Sequence, residues 1–206
     1  MGGAVVQPVV QTPRMGRRRA AVSRGGPDLG DGDVRGQLAG FGIGSTLRDP
    51  VLGVPNPAGV HIGDWVNIGP YAFLESFSPP GAAGIIVGTG TYIGAFSRLT
   101  AVGGIDIGEK VLISDRCYIS DTGHVYDDVT RPIMDQGLRT GRRVVIERGA
   151  WIGIGVAIVG NVTIGQNAVV GANCVVREDV PPFTVVAGDP ARIVRQWVDG
   201  RWVFVD

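Results

Sequence analysis

Aliphatic residues recur along most of this chain at intervals of six. Ile62, Ile68 and Leu74 form one run, followed by Val87, Ile93 and Leu99, by Ile107, Ile113 and Ile119, by Ile146, Ile152 and Ile158, and by Ile164, Val170 and Val176. Glycine directly follows many of these anchors, at positions 63, 69, 88, 94, 108, 153, 165 and 171. Four places after each anchor stands a small or β-branched residue, such as Val66, Ala72, Thr91, Ser97, Cys117, Ala150 or Cys174.

A helix cannot use this spacing, because six residues at about 100° each carry the anchor through about 240° and scatter successive anchors around the axis. Six is even, so a strand keeps the anchor and the residue four places on at one face. Each hexad therefore predicts a short strand and a corner, with glycine giving the chain its place to turn. Hexad periodicity is the signature of a parallel β-helix. Grouped in threes, the fifteen anchors predict five coils of a triangular prism, stacked about 4.7 to 4.9 Å apart around an interior that admits only aliphatic and small side chains.

The breaks carry as much information as the rhythm. Leu74 to Val87 is thirteen residues and holds Pro79-Pro-Gly81, which predicts a short protruding loop, while Leu99 to Ile107 is eight and predicts a bulge at Gly103-Gly104. Ile119 to Ile146 is twenty-seven, so twenty-one residues leave the prism as one loop that begins at Ser120-Asp-Thr-Gly-His124.

Length and composition then set the limits. A chain of 206 residues holds one core and tails. The expected organisation is an Arg/Gly/Pro-rich tail over 1–40, a β-helix over 41–180 with its loop at about 120–145, and a C-terminal segment over 181–206. Arg14, Arg17, Arg18, Arg19 and Arg24 crowd the tail without the apolar segment a secretory signal requires. The tail reads as solvated, with an anionic-surface anchor as the alternative and Met15 as an alternative start. Formal net charge is zero, which points to a small-molecule partner rather than nucleic acid or membrane. No apolar run approaches the roughly 20 residues that span a bilayer, and two cysteines make no disulfide framework. A soluble cytoplasmic protein is expected. Cys117 and Cys174 fall on one prism face two coils, or about 9.5 Å, apart, beyond the roughly 7 Å limit for a disulfide. Both are expected to be buried, reduced and without catalytic duty.

Only two histidines are present. His61 precedes the anchor Ile62, so alternation turns it outward to solvent. His124 stands where a strand abandons its repeat, and loops on rigid scaffolds are where reactive groups are placed. An imidazole suits the removal of a hydroxyl proton near neutral pH, with its second nitrogen held by a partner. Asp121, Asp127, Asp128 or a backbone carbonyl are the options for that partner, and Asp121 is carried as a candidate site residue.

The hexads, together with Asp121-Thr-Gly-His124, Asp127-Asp128, Arg131-Pro132-Ile133, Trp151-Ile-Gly153 and Pro181-Pro-Phe-Thr-Val-Val-Ala-Gly-Asp-Pro-Ala-Arg192 with Arg195, resemble the hexapeptide-repeat acyltransferases. The likeness covers about residues 60 to 196. It extends to the maltose and galactoside O-acetyltransferases and to the capsule or exopolysaccharide acetyltransferases. The resemblance implies an all-β, left-handed parallel β-helix, assembled as a homotrimer with acetyl-CoA held in grooves between prisms. The extruded loop would then reach an adjacent subunit. It also implies His124 as general base and the backbone amide of Ile154 as donor to the developing oxyanion. Trp151 and Ala172 would line the cofactor groove, Gly153 would let the cofactor approach, and Arg192 and Arg195 would meet its phosphates. The three-residue spacing of that last pair suits one face of a short C-terminal helix.

Two departures qualify the likeness. The lysine of the family's Thr-Lys-Asp stretch is Glu178 here, with Arg177 as its substitute, and Gly94 stands where the sugar enzymes carry an acceptor-binding asparagine. Maltose or galactoside specificity is therefore not expected, and Arg98 is either an exposed strand residue or a contact for an anionic or larger acceptor. The leading expectation is acetyl transfer from acetyl-CoA to a hydroxyl of a sugar or polysaccharide precursor, without a metal. The alternatives are N-acetylation of a nucleotide-linked amino sugar and a non-catalytic trimer. Serine acetyltransferase would need a helical domain for which the first sixty residues are too short, and a zinc-dependent β-helix of the γ-carbonic anhydrase kind needs three histidines per site.

Overall fold

A computed structural model describes residues 34–79, 82 and 84–205; the basic run expected in the tail lies outside them. From Gly40 onward the chain winds as a left-handed parallel β-helix with three faces. The first face carries Gly40–Phe41, Val60–Ile62, Ile85–Val87, Ile105–Ile107, Val144–Ile146 and Val162–Ile164. The second carries Thr46–Leu47, Asn67–Ile68, Tyr92–Ile93, Leu112–Ile113, Trp151–Ile152, Val169–Val170 and Thr184–Ala187. The third carries Phe73–Ser76, Arg98–Ala101, Tyr118–Ser120, Ala157–Val159 and Val175–Val176.

The anchors build the interior. Ile62, Val87, Ile107, Ile146 and Ile164 pair in one ladder, Ile68, Ile93, Ile113, Ile152 and Val170 in a second, and Leu74, Leu99, Ile119, Ile158 and Val176 in a third. None of the fifteen is more than 2% exposed, so the even period works as strand alternation requires. A further coil precedes the five: Phe41 pairs with Ile62, Leu47 with Ile68, and Gly53 bridges Phe73. Two anchors spaced by six, with Arg48-Asp49-Pro50 where a glycine would follow, are too few to announce a repeat.

The glycines after the anchors do not make the turns. The left-handed backbone falls three places after the anchor, at Trp65, Tyr71, Gly90, Phe96, Lys110, Arg116, Gly149, Gly155, Asn167 and Asn173. Bulky residues accept this conformation, which costs about 1 to 2 kcal/mol each, because stacked corners reward it with hydrogen bonds. The N–H groups of Trp65, Phe96 and Arg116 reach the carbonyls of Ile43, Pro70 and Ala95 one coil away. The anchor-following glycines are needed for close stacking instead. A Cβ on Gly153 would lie 2.7 Å from the Ala172 nitrogen, and one on Gly88 would lie 2.6 Å from the Gly108 carbonyl carbon.

The expected C-terminal helix is a hairpin. Arg192–Val198 runs antiparallel to Thr184–Ala187, and Arg201–Phe204 returns along it. Ile193-Val194 and Trp197-Val198 favour strand, and Asp199-Gly200, with φ of 48° and 79°, makes the two-residue turn with both central residues left-handed that suits a hairpin's twist. Asp-Gly between apolar runs was the signal available in the sequence. Cys117 and Cys174 are buried and free, ahead of third-face strands separated by Ala157–Val159. Burial pushes both thiols above their ordinary pKa, which leaves little thiolate for reaction.

Candidate active site

The long loop leaves the third face after Ser120 and re-enters the first face at Val144. Its exit is fixed by Asp121, only 1% exposed. One carboxylate oxygen accepts the Val102 N–H at 2.8 Å; the other accepts the N–H groups of Gly103 at 2.6 Å and Gly104. Asp121 thus closes the Gly103-Gly104 bulge of the preceding coil onto the loop. Its partners are backbone amides, and neither oxygen hydrogen-bonds His124.

Beyond Asp121 the loop folds back on itself. The Val125 N–H reaches the Gly137 carbonyl at 3.0 Å, the Arg139 N–H reaches the Gly123 carbonyl at 2.8 Å, and the Thr122 hydroxyl donates to the Arg139 carbonyl at 2.7 Å. His124 bridges Leu138 through the backbone, which holds the Cα of the histidine while leaving its ring exposed. The loop tip is tied by Gln136, whose side-chain amide donates to the carbonyls of Asp128 and Arg131 and accepts the Asp128 N–H. Asp127 pairs with Arg139, Nη2 lying 2.8 and 3.1 Å from its two oxygens. Asp128 accepts the Thr130 hydroxyl and N–H, which hold its carboxyl below the usual carboxylate range. None of the three aspartates hydrogen-bonds the imidazole, and neither does any other group among the described residues.

His124 opens onto a cleft of about 390 Å³ over the third face. The floor is set by strand alternation: Arg98 pairs with Phe73 and Tyr118, and Glu75 with Thr100, all outward of the inward anchors Leu74, Leu99 and Ile119. Phe77, Thr122, Gly123, Met134 and Leu138 supply walls. Glu75, Phe77, Thr100 and Tyr118 were not singled out in the sequence. The signal for them was the outward register of the coils that precede the loop.

The second face presents a different outward column. Asn67, Tyr92, Leu112, Trp151, Val169 and Val185 lie in register, and Arg195 continues the line. Trp151 is 49% exposed and donates its indole N–H to the Ser114 hydroxyl at 3.3 Å. Arg192 pairs with Ala187 and Arg195 with Val185, across a register shift that leaves one extra residue on the arginine strand. In a regular strand, positions three apart face opposite ways; the bulge restores both arginines to the outward side. The pair expected on a helix face is brought together by a strand irregularity, about 14 Å from Trp151 at the usual strand spacing.

At the corner between the second and third faces, Ile154 is 44% exposed. Its carbonyl accepts the Asn173 N–H at 2.8 Å, whereas its own N–H has no partner among the described residues. Ala172 is exposed on the next coil, stacked on Gly153. The space that the missing Cβ of Gly153 leaves is filled by the backbone of that coil. Arg177 is exposed just past the third-face strand Val175–Val176, apart from the Arg192 and Arg195 pair on the second face. Arg98 is not a free cation, because its Nη2 lies 2.8 Å from Glu75.

Residues 143–178 match the family described as bacterial transferase hexapeptide (six repeats). A galactoside O-acetyltransferase from Lactococcus lactis subsp. lactis is 32% identical over 147 residues, covering 68% of this chain and 67% of the relative. This chain belongs to the hexapeptide-repeat acyltransferase family. A probable acetyltransferase from Mycobacterium tuberculosis is 34% identical over 141 residues, and there the match covers 68% of this hexapeptide-repeat chain and 45% of the relative. The chain spans about half the length of several curated relatives it matches. Among solved structures, a hexapeptide-repeat-containing acetyltransferase from Vibrio cholerae, complexed with acetyl coenzyme A, aligns with a TM-score of 0.59 at 29% identity. That alignment covers 81% of this chain and 75% of that one.

Proposed function

We propose that this protein transfers the acetyl group of acetyl-CoA to a hydroxyl of a sugar or polysaccharide precursor. Two observations support the reading: His124 opens, exposed and unpartnered among the described residues, onto a cleft over the third face, and the Ile154 N–H is without a partner among the described residues at the corner where that face begins. The strand that follows Ile154 is Ala157–Val159, which pairs directly with the strand that launches the His124 loop. The base and the oxyanion donor thus flank opposite ends of one face, an arrangement in which the His124 loop of one prism serves the Ile154 corner of its neighbour in a homotrimer. The relative named as a galactoside O-acetyltransferase supports transfer to oxygen over transfer to an amino sugar.

In this reading His124 takes the acceptor's hydroxyl proton as the oxygen forms its bond to the thioester carbonyl carbon. The Ile154 N–H donates to the carbonyl oxygen as it gains negative charge. When the carbon–sulfur bond breaks, the imidazolium returns its proton to the departing thiolate, and the products are an acetyl ester and CoA. Arg192 and Arg195 would hold the phosphates of the acyl donor, with Trp151 and Ala172 beside its pantetheine arm and Arg177 as a further cation. The exposed apolar column of Tyr92, Leu112 and Trp151, and the exposed ring of His124, support a homotrimer in which a neighbouring prism covers the groove. A cytoplasmic location follows from the acyl donor. No helix among the described residues is long and apolar enough to cross a membrane.

Titration with CoA tests the donor site. Tryptophan fluorescence should be quenched as Trp151 is covered, and Arg192→Ala or Arg195→Ala should raise both the Kd for CoA and the KM for acetyl-CoA by roughly tenfold, the worth of one charge-assisted hydrogen bond. A protein that assembles as a trimer but shows no CoA binding would favour the non-catalytic alternative.

A further inference from the structure

Resting on that acyl-transfer reading, we infer that the Glu75–Arg98 pair selects the acceptor, admitting a neutral, hydroxyl-rich ring and discriminating against charged sugars. Arg98 is fixed on three sides. Its Nη2 meets Glu75 Oε2 at 2.8 Å, its Nε donates to the Thr100 hydroxyl at 3.3 Å, and its guanidinium lies 4.1 Å from the centre of the Phe73 ring. The pair lies in the cleft floor, with side-chain exposures of 49% for Arg98 and 21% for Glu75; the strand of Arg98 adjoins the one that leads into the His124 loop, and the strand of Glu75 is one further away.

Two consequences follow from that geometry. First, Glu75 Oε1 and the remaining guanidinium N–H groups have no protein partner among the described residues. An acceptor oxygen and a donor N–H therefore stand side by side, the arrangement that neighbouring hydroxyls of a sugar satisfy, since each hydroxyl both donates and accepts. Phe77 and Tyr118, 52% and 40% exposed, offer apolar faces to the carbon side of such a ring. Second, the opposite charges cancel within the floor. A carboxylate or ammonium on the acceptor would lose water without meeting a net opposite charge, and would have to compete with a pair already in contact. The arginine that the sequence offered to an anionic acceptor is thus matched from within.

Unbalancing the pair should therefore redirect specificity in opposite directions. Glu75→Gln keeps the shape and leaves the guanidinium uncompensated, so the ratio of kcat/KM for a hexuronate over a neutral methyl hexoside should rise about tenfold. Arg98→Gln leaves the carboxylate uncompensated, so the corresponding ratio for a hexosamine should rise by a similar factor. The double variant should regain the neutral preference at lower kcat/KM, and the KM for acetyl-CoA should stay unchanged in all three. Retained quenching by CoA reports that each variant is folded. If the wild-type protein acetylates a sugar but neither single variant moves its ratio, or if the wild type already prefers the hexuronate, this inference is overturned and the acyl-transfer reading survives. If the wild type acetylates none of the three sugars and no member of a wider panel of sugars and nucleotide sugars, the acyl-transfer reading falls and this inference with it.

Discussion

Replacing His124 with alanine is expected to lower acetyl transfer by about 10² to 10⁴ while leaving CoA affinity unchanged, as removal of a general base does. The structure separates this residue's chemistry from any structural role. Its ring is exposed and receives no hydrogen bond from the described residues, so shortening it removes no packing and leaves no buried group unsatisfied. The loop keeps its shape through the backbone pairing of Gly123 and Val125 with Arg139 and Gly137, and through Gln136. The variant should accordingly melt with the wild-type protein and quench with CoA as it does. His61 cannot take over, because it points outward on the first face, paired with Ile86, away from the third-face cleft. A variant as active as the wild type would remove His124 from the mechanism.

Asp121→Ala is expected to act by a different route. Three backbone N–H groups, one of them on buried Gly104, converge on this carboxylate. Removing it leaves donors without partners, at about 3 kcal/mol in total. For a chain of this size that lowers the melting temperature by roughly 6 to 12 °C. Activity should fall with the loss of loop geometry, while the pH dependence of whatever transfer remains keeps the wild-type profile. A stable variant with a displaced pH profile would instead mark Asp121 as the partner of the imidazole.

These two residues show what one-dimensional pattern conveys and what it omits. The interior was legible because alternation is local: an even period on a strand leaves only one face for Ile113 or Ile152, whatever the rest of the chain does. The loop was legible for the same reason, as the one long departure from the period. What escaped depends on neighbouring coils, which are about twenty residues or more apart in sequence. Asp121 could not be assigned because its partners at 102–104 belong to the preceding coil. The glycine at 153 reads in sequence as a place to turn, yet the left-handed corner is at Gly155 and Gly153 stacks on the backbone of Ala172. The spacing of Arg192 and Arg195 suggests a helix face, whereas a strand bulge aligns them. The Glu75–Arg98 contact joins strands 23 residues apart, a distance over which the sequence gives two unrelated charges.

Acetyl transfer to a neutral sugar is decided by measuring thiol release from acetyl-CoA across a panel of sugars and nucleotide sugars, with mass analysis of the products. Thiol release should depend on a neutral sugar acceptor, yield that sugar carrying one added acetyl group on oxygen, and fall by about 10² to 10⁴ in His124→Ala. Acetyl-CoA turnover no faster with any sugar than without one would contradict it.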